Sequence, residues 1–252
     1  MYSDFDITVA KWGDVQKKPC YDIAILPWGA TEPHNRHLPY CTDVLTSQAI
    51  AFDVARGASV LGVNVMVLPG IPLGSQNPGQ TSLPFCIHAR QATQEAVLRD
   101  IVDSLDRSGI HKLLIINGHG GNNFKGFIRD FAVDKPHFVI MSSEWYTVVP
   151  RKSVFEAEID DHAGEQETSV MMHYYPELVK MEMAGIGESK PFAIDSLNAK
   201  VAWVPRDWSK VTTDTGIGNP GKASAEKGKV YAEAVVRKYV RMIKDICSGQ
   251  IY

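Results

Sequence analysis

Between Tyr21 and Met141 the chain alternates short apolar runs with longer stretches of helical periodicity, and few folds accommodate that alternation. Tyr21–Pro27 (Y-D-I-A-I-L-P), Val63–Leu68, Lys112–Ile116 and His137–Met141 each have the length and apolar content of a buried strand. Val44–Ala58 carries apolar residues at Val44, Leu45, Ala49, Phe52 and Ala55. Arg90–Ser108 carries a stripe of Val97, Leu98, Ile101, Val102 and Leu105 that stops at Gly109, and Asn123–Val133 supplies a third helix. Apolar strands joined by amphipathic helices are βαβ crossovers. They predict an α/β fold with a mostly parallel central sheet and helices on both faces. A last helix is expected over Ala223–Ile246, with Val235, Val236, Tyr239, Val240 and Ile243 facing the core.

In such sheets ligands bind beyond the carboxyl ends of the strands, so the loops that follow the strands carry the functional information. After the first strand comes Thr31–Asp43 (T-E-P-H-N-R-H-L-P-Y-C-T-D), where Pro33 and Pro39 deny a regular helix and leave Glu32, His34, His37 and Asp43 on a loop. Glu32 and His34 lie two apart and project the same way from extended backbone. With Asp43 they form a mixed oxygen and nitrogen set that suits Zn²⁺ or Mn²⁺ better than Ca²⁺ or Mg²⁺. Thr42 or Asp43 is positioned to cap the helix that follows.

After the third strand comes N-G-H-G-G-N, Asn117–Asn122. Its glycines could cradle a phosphate at the next helix terminus, but the spacing departs from the standard glycine-rich motifs and a histidine fills the middle. His119 reads better as a metal ligand. A third cluster, Asp161–Ser169 (D-H-A-G-E-Q-E-T-S), puts His162, Glu165 and Glu167 just ahead of the apolar run Val170–Met172. Capping would account for either glutamate alone, but not for His162 beside Ala163 and Gly164. The long Gly70–His88 segment, rich in glycine and proline, has the character of a functional loop. His88, His111, His137 and His173 sit at element ends or on polar faces and read as structural.

A formal net charge of −3, with no run of Lys or Arg, argues against a nucleic-acid surface. The amino terminus lacks the blocks of a signal peptide, no stretch approaches a membrane span, and Cys20, Cys41, Cys86 and Cys247 form no C-x-x-C pair. These features lead us to expect a cytoplasmic enzyme with reduced thiols, folded as a single domain over residues 1–252, with Cys41 a small filler near the site.

Taken in order, T-E-P-H-N-R-H-L-P-Y-C-T-D, N-G-H-G-G-N and D-H-A-G-E-Q-E-T-S resemble the motifs of the creatininase family of metal-dependent amidohydrolases, and G-I-G-N-P at Gly216–Pro220 resembles that family's glycine-proline turn. The resemblance implies a three-layer α/β/α fold, a closed homo-oligomer (a hexamer in the family) and two divalent metals, Zn²⁺ or Mn²⁺ with Fe²⁺ as a further option. One metal would be held by Glu32, Asp43 and His119, the other by His34, the bridging Asp43 and a further carboxylate. Creatinine-hydrolysing members carry that carboxylate two residues after the loop histidine, where this chain has Gly121, which leaves Glu165 as the expected substitute. Those members also carry a tryptophan four residues before the residue matching His162. Here that position is Glu158; Trp145, in the polar connection Ser142–Asp160, could serve as a pocket wall, with simple core packing an equal alternative.

The implied chemistry is attack on the carbonyl of a small or cyclic amide by a hydroxide bridging the two metals. His162 would be the general acid and base, Glu167 would orient it or support the ligands from outside, and His37 would do supporting or structural work rather than bind metal directly. Relatives that deformylate a pyrimidine intermediate or trim a small peptide share the G-H-G-G-N form and are alternatives. Pro205–Pro220 is expected to close over a neighbouring active site or pack a subunit interface. The non-enzyme alternative is a phosphate- or nucleotide-binding α/β module that needs no metal.

Overall fold

In the computed structural model, which describes residues 5–18, 20–249 and 251, four parallel strands form the centre. They are β1 (Ile23–Trp28), β2 (Val65–Val67), β3 (Lys112–Asn117) and β4 (Val139–Glu144), in the order β2-β1-β3-β4. Ala24 pairs with Leu113 and Lys112 with Val139, all in parallel; the chain steps from β1 out to β2, crosses back over β1 to β3, and continues to β4. Five longer helices accompany them: α1 (Thr42–Val60), α2 (Gln91–Arg107), α3 (Lys125–Asp134), α4 (Glu165–Tyr174) and α5 (Ala225–Ser248).

The pleat of β1 divides the core. Ile23 and Ile25 face a cluster with Ile50 and Val54 of α1, Val170 of α4, and Tyr231, Val235 and Tyr239 of α5. Ala24, Leu26 and Trp28 face the opposite cluster, with Leu98 and Val102 of α2 and Phe131 of α3. Strands buried on both sides must be apolar at every position, which is why β1 is a continuous run rather than an alternating one. The result is a three-layer α/β/α arrangement with a mostly parallel central sheet. Among the described residues, no helix is long and apolar enough to cross a membrane.

The strand order reverses between β1 and β3, which opens a crevice at their carboxyl ends. The segments after both strands enter that crevice, and a small antiparallel pair, β5 (Asp160–His162) with β6 (Ile217–Gly218), covers it. Two local expectations change. Asp43 lies in the first turn of α1 rather than on the preceding loop, and the helix starts from Cys41 without a side-chain cap, because the Thr42 hydroxyl donates to the Pro39 carbonyl instead.

Candidate metal centre

Asp43 is the middle of the site. Its Oδ1 lies 2.8 Å from His34 Nε2 and its Oδ2 lies 3.2 Å from His119 Nδ1, so one buried carboxylate offers a separate oxygen to each imidazole. Glu32 Oε1 stands 2.9 Å from His119 Nδ1 and 3.8 Å from His162 Nδ1. Close backbone approach makes this possible. A Cβ on Gly29 would stand 2.5 Å from Asp43 Cβ, and one on Gly118 would run into the Asp43 carbonyl oxygen, so only glycine lets β1 and β3 end against the first turn of α1.

The outer nitrogens of the three histidines decide what the inner ones can do. His34 Nδ1 contacts the Glu32 carbonyl oxygen at 3.0 Å, His119 Nε2 the Ser75 carbonyl oxygen at 2.8 Å, and His162 Nε2 the Pro33 carbonyl oxygen at 2.9 Å. A carbonyl can only accept, so each outer nitrogen donates a proton. A neutral ring then presents a lone pair at its inner nitrogen. Lone pairs aimed at carboxylates within 3–4 Å repel unless a cation, either a proton or a metal ion, lies between them. Outer N–H groups tied to carbonyls are the arrangement that fixes metal-ligating histidines. Asp43 Oδ2 also has no hydrogen-bond donor although it is fully buried, which is the state of an oxygen shaped for a cation.

The electrostatics agree. Burial pulls the His34 pKa down, yet the adjacent Asp43 charge more than reverses this and raises it to about 10. Burial likewise opposes His119, and Glu32 and Asp43 still drive it well above the ordinary histidine range. Both carboxylates move the other way: the neighbouring imidazoles outweigh burial and hold Glu32 and Asp43 below the usual carboxylate range. The site therefore attracts positive charge strongly. His162 differs, because burial and the nearby His34 lower its pKa and favour the neutral ring.

Glu165 does not join this group. It is fully buried, but its carboxylate receives Lys227 Nζ at 2.5 Å and the backbone N–H groups of Glu156 and Ala157 at 2.9 and 2.8 Å, away from the imidazoles. The carboxylate that stands with His34 and Asp43 is Glu167, two residues further along the same helix. Burial and the Asp43 charge raise its pKa to about 8 against the opposing pull of His34. This corrects two expectations together. Glu165 is a structural anion, and Glu167 makes no bond to the His162 ring but accepts the N–H of the adjacent Ala163, while the ring itself meets the Pro33 carbonyl and Trp208. Gly121 explains why the carboxylate has to come from α4: a Cβ there would sit 2.5 Å from His119 Nε2 and even closer to the Ser75 carbonyl oxygen. His37 stays outside the cluster, with Nε2 on the Thr168 hydroxyl at 2.9 Å and its pKa lowered to about 4 by burial and by His34.

A cavity of about 710 Å³ opens onto Glu32, His119 and His162. Trp145 is not its wall; that side chain is fully buried in the core against Tyr146 and Tyr231. The wall is Trp208, whose ring meets His162 edge-on at 5.5 Å between centroids and whose indole N–H donates to the Thr215 carbonyl at 3.1 Å. Arg206 lies over the same indole at 5.0 Å and pairs with Asp161 at 2.7 Å. The Pro205–Pro220 region thus lines the cavity of its own chain. Gln80 is a further addition, donating from its amide to Glu32 Oε2 at 2.6 Å. The length of the Gly70–His88 loop was its only sequence signal. Three backbone donors of the would-be phosphate cradle are already engaged: Gly118 N–H goes to the Trp28 carbonyl, His119 N–H to the Asn117 side chain and Asn122 N–H to the His119 carbonyl.

An α/β/α sheet whose switch-point crevice collects histidines and acids around a polar cavity defines a metal-dependent hydrolase. The creatininase family, described as creatinine amidohydrolase, matches residues 9–243, and the chain belongs to it. It is accordingly a creatininase-family amidohydrolase, an enzyme of carbon–nitrogen bond hydrolysis. The crystal structure of a candidate creatinine amidohydrolase from Bacteroides fragilis is 56% identical, covers 100% of both chains and superposes with a TM-score of 0.97. Creatinine amidohydrolase of Pseudomonas putida is 25% identical over 88% of this chain and 89% of its own. Mycofactocin precursor peptide peptidase of Mycolicibacterium smegmatis is 29% identical over 84% and 81%. 3-Dehydro-scyllo-inosose hydrolase of Thermotoga maritima is 25% identical over 91% and 78%. A zinc–zinc form of a creatininase variant and a manganese form of creatininase share the fold, each with 23% identity and a TM-score of 0.75, covering 95% and 96% of this chain and 96% and 98% of their own.

Proposed function

We propose that this chain is a dinuclear metal amidohydrolase that cleaves a carbon–nitrogen bond of a small or cyclic polar amide. The observation that carries the proposal is the division of labour in the imidazoles: outer N–H groups committed to backbone carbonyls, inner lone pairs turned towards Glu32 and Asp43. Glu32, Asp43 and His119 would hold one divalent ion, and His34, Asp43 and Glu167 the other. Zn²⁺ and Mn²⁺ suit this mixture of carboxylate and imidazole, and they are the metals of the creatininase forms above. Bound there, the pair supplies Lewis acidity towards a carbonyl oxygen and acidifies water in the site.

The protein's own groups do the rest. His162 presents Nδ1 to the cavity while its Nε2–H is occupied by Pro33. Its lowered pKa keeps the ring neutral near pH 7, so Nδ1 can accept a proton from the attacking water and return it to the leaving nitrogen. Gln80 fixes Glu32, and Trp208 holds the His162 ring edge-on. The cavity is of small-molecule size and is lined by the carboxamides of Asn77, Gln80, Gln91, Asn122 and Asn123, a lining that suits a compact polar amide over a long apolar chain. The same reading includes a closed homo-oligomer, a hexamer as the family resemblance implies, for which Trp203 at the cavity rim, 86% exposed, is a natural contact. Sedimentation velocity checks that part.

Turnover tests the rest: protein loaded with Mn²⁺ or Zn²⁺ is assayed on creatinine, formamidopyrimidines and short peptides. Hydrolysis of a small or cyclic amide that disappears with chelator supports the proposal. Cleavage of peptides alone, or activity that survives metal removal, would overturn it.

A further inference from the structure

A second group of imidazoles lies at the opposite end of the sheet. Asp106, one residue before the end of α2, stands beside His111, immediately before β3, and His137, in the turn between α3 and β4. His137 Nε2 is 2.8 Å from Asp106 Oδ1, and His111 Nε2 is 3.4 Å from the same oxygen. All three donor atoms fall within 4.8 Å of one another. The two rings are nearly perpendicular, at 87° with centroids 5.3 Å apart, so neither blocks the other's approach to a shared point.

Several features hold the trio in place. The Val139 N–H donates to the His111 carbonyl at 2.8 Å, locking the β3 entrance to the β4 entrance beside His137. Phe138 is buried and anchors the turn, while the His111 and His137 side chains are about half exposed, 49% and 55%, and open to ions from solution. Lys135 Nζ takes the other oxygen of Asp106 at 2.7 Å and Asp103 at 3.1 Å, which orients the carboxylate and leaves Oδ1 to the histidines. Hydrogen bonds from Lys135 and then His137 hold the Asp106 pKa down to about 2, so it is ionised at any working pH. The two acids, Asp103 and Asp106, outweigh the one lysine, Lys135, and the patch favours a cation.

We propose that Asp106, His111 and His137 form a separate binding site for a borderline divalent metal such as Zn²⁺ or Cu²⁺, remote from the catalytic cavity. Two imidazoles and one carboxylate oxygen make a three-ligand set that water completes, and the nitrogen content selects against Ca²⁺ and Mg²⁺. Lys135 plays the outer part, steadying the carboxylate as partners of metal ligands do. Because the ligands come from α2, the start of β3 and the α3–β4 turn, a bound ion would clip three segments together and raise stability without touching turnover.

The test uses enzyme whose catalytic sites are already filled with Zn²⁺, titrated with further Zn²⁺ by calorimetry, with bound metal counted after dialysis. Wild type should take up a further equivalent per chain and melt at a higher temperature in its presence. His111→Gln with His137→Gln together should abolish that uptake and the temperature rise, with activity unchanged. Asp106→Asn should weaken uptake by at least about tenfold. No additional uptake by wild type, or equal uptake by the double variant, overturns the proposal. The melting temperature of the double variant without added Zn²⁺ shows that it remains folded, so lost uptake reports on the ligands.

Discussion

Lys227→Met separates the two glutamates of α4 by their roles. Glu165 is completely buried and has three donors, of which the Lys227 ammonium at 2.5 Å is the only charged one. Removing it leaves a buried carboxylate with two backbone amides. Breaking one partner out of a buried ion pair costs about 3–5 kcal/mol. The Lys227 side chain is 24% exposed, so water can enter in its place, and a figure of about 2–3 kcal/mol is the better expectation. For a domain of this size each kcal/mol moves the melting temperature by about 2–4 °C, so scanning calorimetry should record a fall of about 4–12 °C. Metal content, measured by plasma emission on the same samples, should not change, and Glu165→Gln should also keep its metal. Glu167→Gln should do the reverse, losing metal from the His34 side with a smaller thermal effect. An unshifted melting temperature in Lys227→Met, or metal loss in Glu165→Gln, would refute the assignment.

Three further outcomes are expected. Trp208→Ala should lower kcat by about tenfold or more and cost about 3–5 kcal/mol of stability, because it removes a buried indole and frees the His162 ring; Trp208→Phe should recover most of the kcat, and steady-state kinetics reads both. Asp160, whose pKa burial raises to about 6, favours the folded state when protonated. Its contribution is complete below the unfolded value near 3.8 and is lost as pH rises towards 6. Urea melts should therefore show Asp160→Asn gaining on wild type by up to about 3 kcal/mol between pH 4 and pH 7, and a constant difference would contradict this. Gly118→Ala should cost about 1–3 kcal/mol and lower metal affinity, since its Cβ collides with the Asp43 backbone and with Ser47 Oγ at 2.6 Å; intact metal binding would count against the tight packing described here.

The parallel sheet could be read from the chain because strands buried on both faces have to be unbroken apolar runs, and β1 and β3 are such runs. Glu32, His34 and His119 could be read because each follows closely on a strand, where the fold directs chain ends to one crevice, and Asp43 because it closes the same T-E-P-H motif at the start of the next helix. The choice between Glu165 and Glu167 could not. Two residues apart on a helix they diverge by about 200°, and the face each presents depends on how α4 packs. The partner that claims Glu165 is Lys227, 62 positions away, and nothing local announces it. Trp208 escaped for a similar reason: it belongs to an irregular segment where no periodicity reports orientation, and of the two readings open for Trp145, pocket wall and core, packing selects the core. The Gln80 contact to Glu32 likewise depends on the path of a long loop, which only three-dimensional packing sets.

The most direct test of the central claim is the metal content of Asp43→Ala beside wild type, after both are loaded with Zn²⁺ or Mn²⁺ and dialysed. Asp43 offers one oxygen towards His34 and the other towards His119, so wild type should retain about two ions per chain and the variant close to none, while remaining folded by circular dichroism. Retention of both ions by folded Asp43→Ala would contradict a centre organised around this carboxylate.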